Sequence, residues 1–350
     1  MLINNEYLDS IKVEPILESL QLCKIEDSIY FSKEYSKYIS NSRLSLINPE
    51  QDNDPKAFFE GIGKHNKYSD SLVFGSAVHC LVLQNELFHL CFDADRPTGK
   101  TGFMADKLYS VVIDNTVSKE FKRAAIYSAS NEIDYYKDSL TDNKLKILLN
   151  KCSRYWNDRK NYESKKLKST PIYLDQKNRE RVQYCIASLN RNSEANKLLN
   201  PKGLINDPIS KNEEAILIDF LVSMPNGNKV VLKFKAKLDN YTIDFDTNTI
   251  CVNDLKTLGR AVDEFEYNFY NFRYYRELAI YNYLLSLCAN KFYDITNPII
   301  KSNCIVISTI PDYDVRIYNL TKHDFIKGWI EFKNLIKLVA VYHNNGYEFE

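Results

Sequence analysis

The stretch ICVNDLKTLG, residues 250–259, decides how the rest of the chain is read. It opens as an apolar strand, Ile250, Cys251 and Val252, and then sets Asp254 and Lys256 where a buried strand would carry apolar side chains. Residues two apart on a strand share a face, so Asp254 and Lys256 point one way and Leu255 the other. Two readings are open: a structural ion pair, or a site whose chemistry needs both charges.

Upstream, AILIDFLV (215–222), MPNGN (224–228) and KVVLKFKAKLD (229–239) predict a hairpin, because Asn-Gly favours the tight turn that strand twist requires. Phe234, Ala236 and Leu238 then line one face of the second strand, and Lys233, Lys235, Lys237 and Asp239 the other. If YTIDFDTNT (241–249) carries the chain back into ICVNDLKT, Asp239 comes to lie near Asp254. Two adjacent carboxylates are costly to desolvate alone, and a divalent cation removes that cost. Downstream, a long helix is predicted from about Val262 to Asn290, with Tyr274, Glu277 and Tyr281 on one stripe. An Arg273–Glu277 ion pair is the plainer account of that stripe. The strand NCIVISTI (303–310), the extended piece DVRIYNL (314–320) and a helix from about His323 follow.

Towards the N-terminus, YISNSRLSLINPEQDNDPKAFFEG (38–61) predicts a short helix ending at Asn48-Pro49 and a second after Asp54-Pro55. SDSLVFGSAVHCLVLQNELF (69–88) predicts a largely buried helix carrying His79, a residue type that is also a common satisfied core group. The chain thus reads as one α/β domain (α+β, mixed) over residues 1–350, with an αβββαβ core sheet flanked by helices. Its expected parts are a helical N-terminal region (1–68), the His-bearing core helix (69–92), a helical basic insertion (105–200), the catalytic sheet and helix (213–310) and a C-terminal helix (323–350).

Composition narrows the class. With 44% hydrophobic and 13% aromatic residues the chain has material for a large core. No apolar run approaches the roughly 20 residues that span a bilayer. MLINNEYLDSIKVEP has no apolar signal region, so a cytoplasmic protein with reduced thiols is expected. The eight cysteines form no CxxC, which argues against zinc ribbons and cysteine-bound iron–sulfur clusters. Charge balances at 46 basic against 46 acidic residues, and does not by itself advertise a nucleic-acid binder. Between Lys144 and Arg181, however, twelve Lys/Arg stand against four Asp/Glu, with Trp156 and Tyr162 interleaved. That run reads as a solvated helical face or as a phosphate-tracking groove.

Taken in order, Gly75 to His79 (G-x-x-x-H), the strand end Lys237-Leu238-Asp239, Asp254-Leu255-Lys256-Thr257 (D-x-K-T) and Glu277-Leu278-Ala279-Ile280-Tyr281 resemble the RecB-type branch of the PD-(D/E)XK nucleases. ISNSRLSLINP (39–49) and FGSAVHCLVLQNELF (74–88) look in particular like phage and prophage exonucleases of the exonuclease VIII type. The resemblance implies a restriction-endonuclease-like core and a metal-dependent exonuclease that digests linear double-stranded DNA to feed recombination by single-strand annealing. It implies that His79, Asp239 and Asp254, with the backbone carbonyl of Leu255, ligate Mg²⁺ or Mn²⁺. Lys256 would position or activate the water, and Tyr281 would hold substrate. Glu277 stands where the family usually carries Gln. Implied partners are duplex DNA ends, a single-strand annealing protein and further copies of the chain, in a bacterial cytoplasm or that of a phage host. An endonuclease on the same core, for repair or defence, and an inactive nuclease-derived DNA-binding protein are the alternatives.

ADRPTGKT (94–101) matches a relaxed phosphate-loop pattern, but Asp93, Asp95 and Pro97 add negative charge and stiffness where a phosphate cradle needs flexible N–H donors. A DNA-contacting loop bearing Arg96, Lys100 and Lys107 is the better expectation, with Lys165, Lys166 and Lys168 of the basic run as further candidate contacts.

Overall fold

A computed structural model of the chain describes residues 5–51, 54–60, 70–85, 96–114, 116–133, 141–163, 174–203 and 205–349. It divides into two compact units, residues 1–66 with 187–350, and residues 67–186.

The first unit is built on a six-stranded mixed sheet whose spatial order follows the sequence: β1 (Lys12–Lys24), β2 (Ile209–Ser223), β3 (Lys229–Asp244), β4 (Thr249–Leu258), β5 (Ile299–Ser308) and β6 (Val315–Asn319). Every neighbouring pair is antiparallel except β4 and β5, which run parallel. A parallel pair needs a crossover, and the helix Tyr274–Tyr293 supplies it. This helix packs on the sheet beside the helix Lys322–Asn344, so the mixed α/β fold read from the sequence is the fold observed. Phe220, Phe234 and Phe332 meet edge-to-face, with centroids 5.3 to 6.1 Å apart, in the core between the sheet and the second of these helices.

The predicted hairpin forms, with Ser223 opposite Lys229, and Met224 N–H donates to Asn228 O at 2.8 Å, so the turn is one residue longer than a two-residue turn. Pro225 and Asn226 form the bend, Gly227 N–H donates to Met224 O at 3.0 Å, and Gly227 takes the positive φ of 89° that closes the loop.

Two expectations are corrected. Residues 12–24 are a strand, not part of a helical N-terminal region. As a sheet edge β1 tolerates Pro15, and it bulges between Ile16 and Gln21, where Ser19 Oγ accepts the Asp219 N–H at 2.8 Å. Nor is the helix continuous from Val262. A short 3₁₀ turn, Val262–Glu264, leads into the helix Phe265–Asn271, and the chain then breaks at Arg273, whose φ is 59°. The break folds the two pieces together: Phe265 and Tyr274 stack with centroids 5.7 Å apart and planes at 11°.

The second unit is helical where described, with helices Asp70–Leu83, Gly99–Ile113, Lys119–Glu132 and Asp142–Glu163. Leu148, Cys152, Tyr155 and Trp156 lie on one stripe of the last and pack with Met104, Leu108 and Ile126. Trp156 Nε1–H donates to Ala105 O at 2.7 Å. Tyr155 and Trp156 are therefore core, while Lys146, Lys151, Arg154 and Lys160 take the solvated face. Among the described residues no helix is long and apolar enough to cross a membrane.

Candidate active site

β3 and β4 pair from Asp244–Thr249 up to Asn240–Asn253, and there the ladder stops. Beyond that pair β3 keeps β2 as its partner while β4 keeps β5. The strands fork, and the next residue on each prong is a carboxylate, Asp239 on β3 and Asp254 on β4. At the fork a side chain replaces the ladder: Leu255 N–H donates to Asp239 Oδ2 at 2.8 Å.

Asp254 is 2% exposed, and Lys256 Nζ sits 2.9 Å from its Oδ1 and 2.8 Å from its Oδ2. The same ammonium lies 3.5 Å from Glu277 Oε2 and 4.8 Å from the centroid of Tyr274. Tyr281 O–H donates to Glu277 Oε1 at 2.9 Å, so the predicted Tyr274, Glu277 and Tyr281 stripe converges on Lys256. Arg273 turns away to Glu50 and Glu331, so the plainer ion pair with Glu277 does not form. The two readings of D-x-K merge: the ion pair exists, and it stands at the mouth of a fork.

The electrostatics follow from crowding. Burial raises Asp254 and Asp239 above the usual carboxylate range, with Lys256 opposing and Glu277 reinforcing the shift in both. Burial alone would lower Lys256, but Asp254, Glu277 and Asp239 together hold it well above an ordinary lysine. Burial, then Glu277, keeps Tyr281 neutral and donating.

Glu213 was not anticipated. It stands on β2 level with Asp239, between the Asn212–Asn240 and Glu214–Leu238 pairs, and the carboxylate oxygens of the two acids lie within 4.8 Å. Lys237 Nζ holds it at 2.7 Å and also pairs with Asp27. The signal was available: ten residues out from the Ser223–Lys229 pair, the hairpin register brings 213 to 239.

In this unit the carboxylates of Glu213 and Asp239, with Asp254 across the fork, offer hard oxygens, and burial pushes Asp239 and Asp254 towards protonation. That suits a hard divalent cation of the magnesium or manganese type. Asp239, Asp254 and the Leu255 carbonyl are the groups that would hold it.

His79 lies on the helix Asp70–Leu83 of the second unit, half-buried. On the same helix Phe74, Ala77 and Val78 are buried, but Leu72 is 60% exposed, so the helix is less enclosed than expected. Arg96 is 4% exposed and pairs with Asp106 at 2.8 Å, with Arg159 3.6 Å from the same carboxylate. It is a buried structural charge, which corrects its reading as a DNA contact. Lys100 is exposed, and Lys107 is exposed and paired with Glu132. Lys165, Lys166 and Lys168, together with Ala94 of the phosphate-loop look-alike, lie outside the described residues; its Thr98 and Gly99 open the helix Gly99–Ile113.

No protein-family model matches the chain, and no curated protein does. Among solved structures it is similar to a protein of Eubacterium rectale provisionally called an exonuclease, at 9% identity and a TM-score of 0.38, covering 91% of this chain and 87% of that one. A likeness at that level carries no argument about activity. The site's own residues must carry it.

Proposed function

We propose that the chain is a Mg²⁺- or Mn²⁺-dependent deoxyribonuclease acting on the ends of linear double-stranded DNA. The observation that carries this reading is the gathering of Asp239, Asp254, Lys256 and Glu277 where β3 and β4 part. The reaction adds the oxygen of water to phosphorus and breaks one ester P–O bond, a proton leaving the water and one reaching the departing alcohol. A bound divalent ion would supply a more acidic water and charge neutralisation at the phosphate. Lys256 stays protonated at neutral pH, so it orients water or phosphate oxygen by donating hydrogen bonds and does not act as a base. Glu277 lies 3.5 Å from that ammonium and is itself fixed by Tyr281. The family's usual Gln could still accept from Tyr281, but would turn an amide N–H₂ towards the ammonium. Glu is the residue that fits this lysine.

The site resemblance adds a role in recombination beside a single-strand annealing protein, self-association around DNA, and a bacterial or phage-host cytoplasm.

The decisive assay compares linear duplex with covalently closed circular DNA in Mg²⁺. Shortening of the linear form alone, abolished by EDTA and by Lys256→Ala, is expected. Cleavage of the circle supports the endonuclease alternative, and full activity of Lys256→Ala refutes the assigned role.

A further inference from the structure

The pair that closes the fork, Asn240 with Asn253, is part of a longer row. Backbone pairing sets Asn212, Asn240, Asn253 and Asn303 side by side on β2, β3, β4 and β5. Their side chains join head to tail. Asn303 Nδ2 donates to Asn253 Oδ1 at 2.8 Å, Asn253 Nδ2 to Asn240 Oδ1 at 2.8 Å, and Asn240 Nδ2 to Asn212 Oδ1 at 2.7 Å. Each of the three buried amides also uses its second N–H: Asn303 to Cys251 Sγ at 3.2 Å, Asn253 to Leu198 O at 3.1 Å, Asn240 to Ser210 Oγ at 3.1 Å. Asn240, Asn253 and Asn303 are 0, 1 and 5% exposed.

Such a chain is an odd way to stabilise a sheet interior. A buried amide hydrogen bond contributes only about 1 kcal/mol net, and a matched apolar pair does as well or better. What a directional amide chain provides is register. A strand slipped by one residue turns every side chain to the other face, and apolar neighbours tolerate a slip that paired amides do not. Here register has a consequence. Asn253 directly precedes Asp254 and bonds towards the helix Ser193–Leu199, while Asp254 pairs with Lys256, whose ammonium also lies 3.5 Å from Glu277 of the helix Tyr274–Tyr293. Asn240 directly follows Asp239.

We propose that Asn240 and Asn253 are positioning residues: their amide bond pins the last β3–β4 pair and so holds Asp239 on the Leu255 N–H across from Asp254. This deepens the proposed hydrolytic site and rests on it for its catalytic meaning, but its geometric content stands without a metal. The amides touch no substrate; they act through the two carboxylates.

The test combines two readouts on Asn240→Leu/Asn253→Leu and on the milder Asn253→Ser, which leaves a hydroxyl and little strain. The first is hydrogen exchange at the Leu255 amide, whose partner is Asp239 Oδ2. The second is Mn²⁺ affinity, followed by the paramagnetic resonance of free Mn²⁺. In variants that keep cooperative melting, Leu255 is expected to lose its protection relative to the β4–β5 amides, and Mn²⁺ to bind roughly 10-fold or more weakly, as when an outer-shell partner is lost. Unchanged Leu255 protection in a folded variant overturns the proposal. If the wild-type chain binds no Mn²⁺, the metal reading fails, and the Leu255 amide still decides the positioning role.

Discussion

Lys256 lies within ion-pair distance of both Asp254 and Glu277. Lys256→Ala should reduce hydrolysis about 100-fold or more, the scale of losing one preorganised electrostatic donor. Glu277→Gln should be milder, because the bond from Tyr281 can survive while one negative charge near Asp254 is lost. The pH behaviour follows from the carboxylates. Asp239 and Asp254 titrate above their unfolded values because of burial first and neighbouring acids thereafter, so the folded state binds more protons than the unfolded chain once pH exceeds about 4. Stability from these groups therefore falls as pH rises through that window and levels off above the raised values. A divalent ion competes with those protons, so the Mn²⁺-induced rise in Tm should be larger at about pH 8 than at about pH 5. An equal rise at both would place the binding elsewhere. Lys235 has the opposite sense: burial, then Arg43, lowers it to about 8. Its contribution to stability should thus increase from about pH 8 to the normal lysine range, where only the unfolded chain holds the proton.

At the scale of elements, the site depends on how the helix Tyr274–Tyr293 is seated. Gly328 on the helix Lys322–Asn344 makes that seating possible, since a Cβ there would meet Tyr275 O at 2.6 Å and Arg276 Cα at 2.8 Å. Gly328→Ala should cost about 1 to 3 kcal/mol by overpacking and lower activity by shifting Glu277, although residue 328 touches nothing in the site. Chemical denaturation with a matched activity assay checks both. The elements legible in the sequence were those with one dominant pattern: the β2–β3 hairpin, with alternation and Asn-Gly, and β4 and β5, with their apolar runs. β1 was missed because Pro15, Glu14 and Glu18 mask an edge strand, where one face and one edge are solvated. The break at Arg273 was missed because no Gly or Pro marks it. Ties from Arg273 to Tyr275 at 2.8 Å and to Glu50 at 2.7 Å hold a left-handed residue that local propensity does not favour.

At the scale of the whole molecule, the residues that converge lie far apart in sequence. Asp239 and Asp254 could be paired by following strands, and Glu277 and Tyr281 by helical spacing. Glu213 required the hairpin register to be counted outward, and the asparagine row required four strands to be aligned at once. Arg96 and Trp156 looked available for DNA only because the sequence does not show the core they fill. The central claim is that the β3–β4 fork is a cation site served by a fixed ammonium. Anomalous diffraction from a crystal of the chain soaked in Mn²⁺ tests it most directly. The account predicts a peak within coordination distance of both Asp239 and Asp254, with Lys256 beside it. A fully soaked crystal with no density between those carboxylates would contradict it.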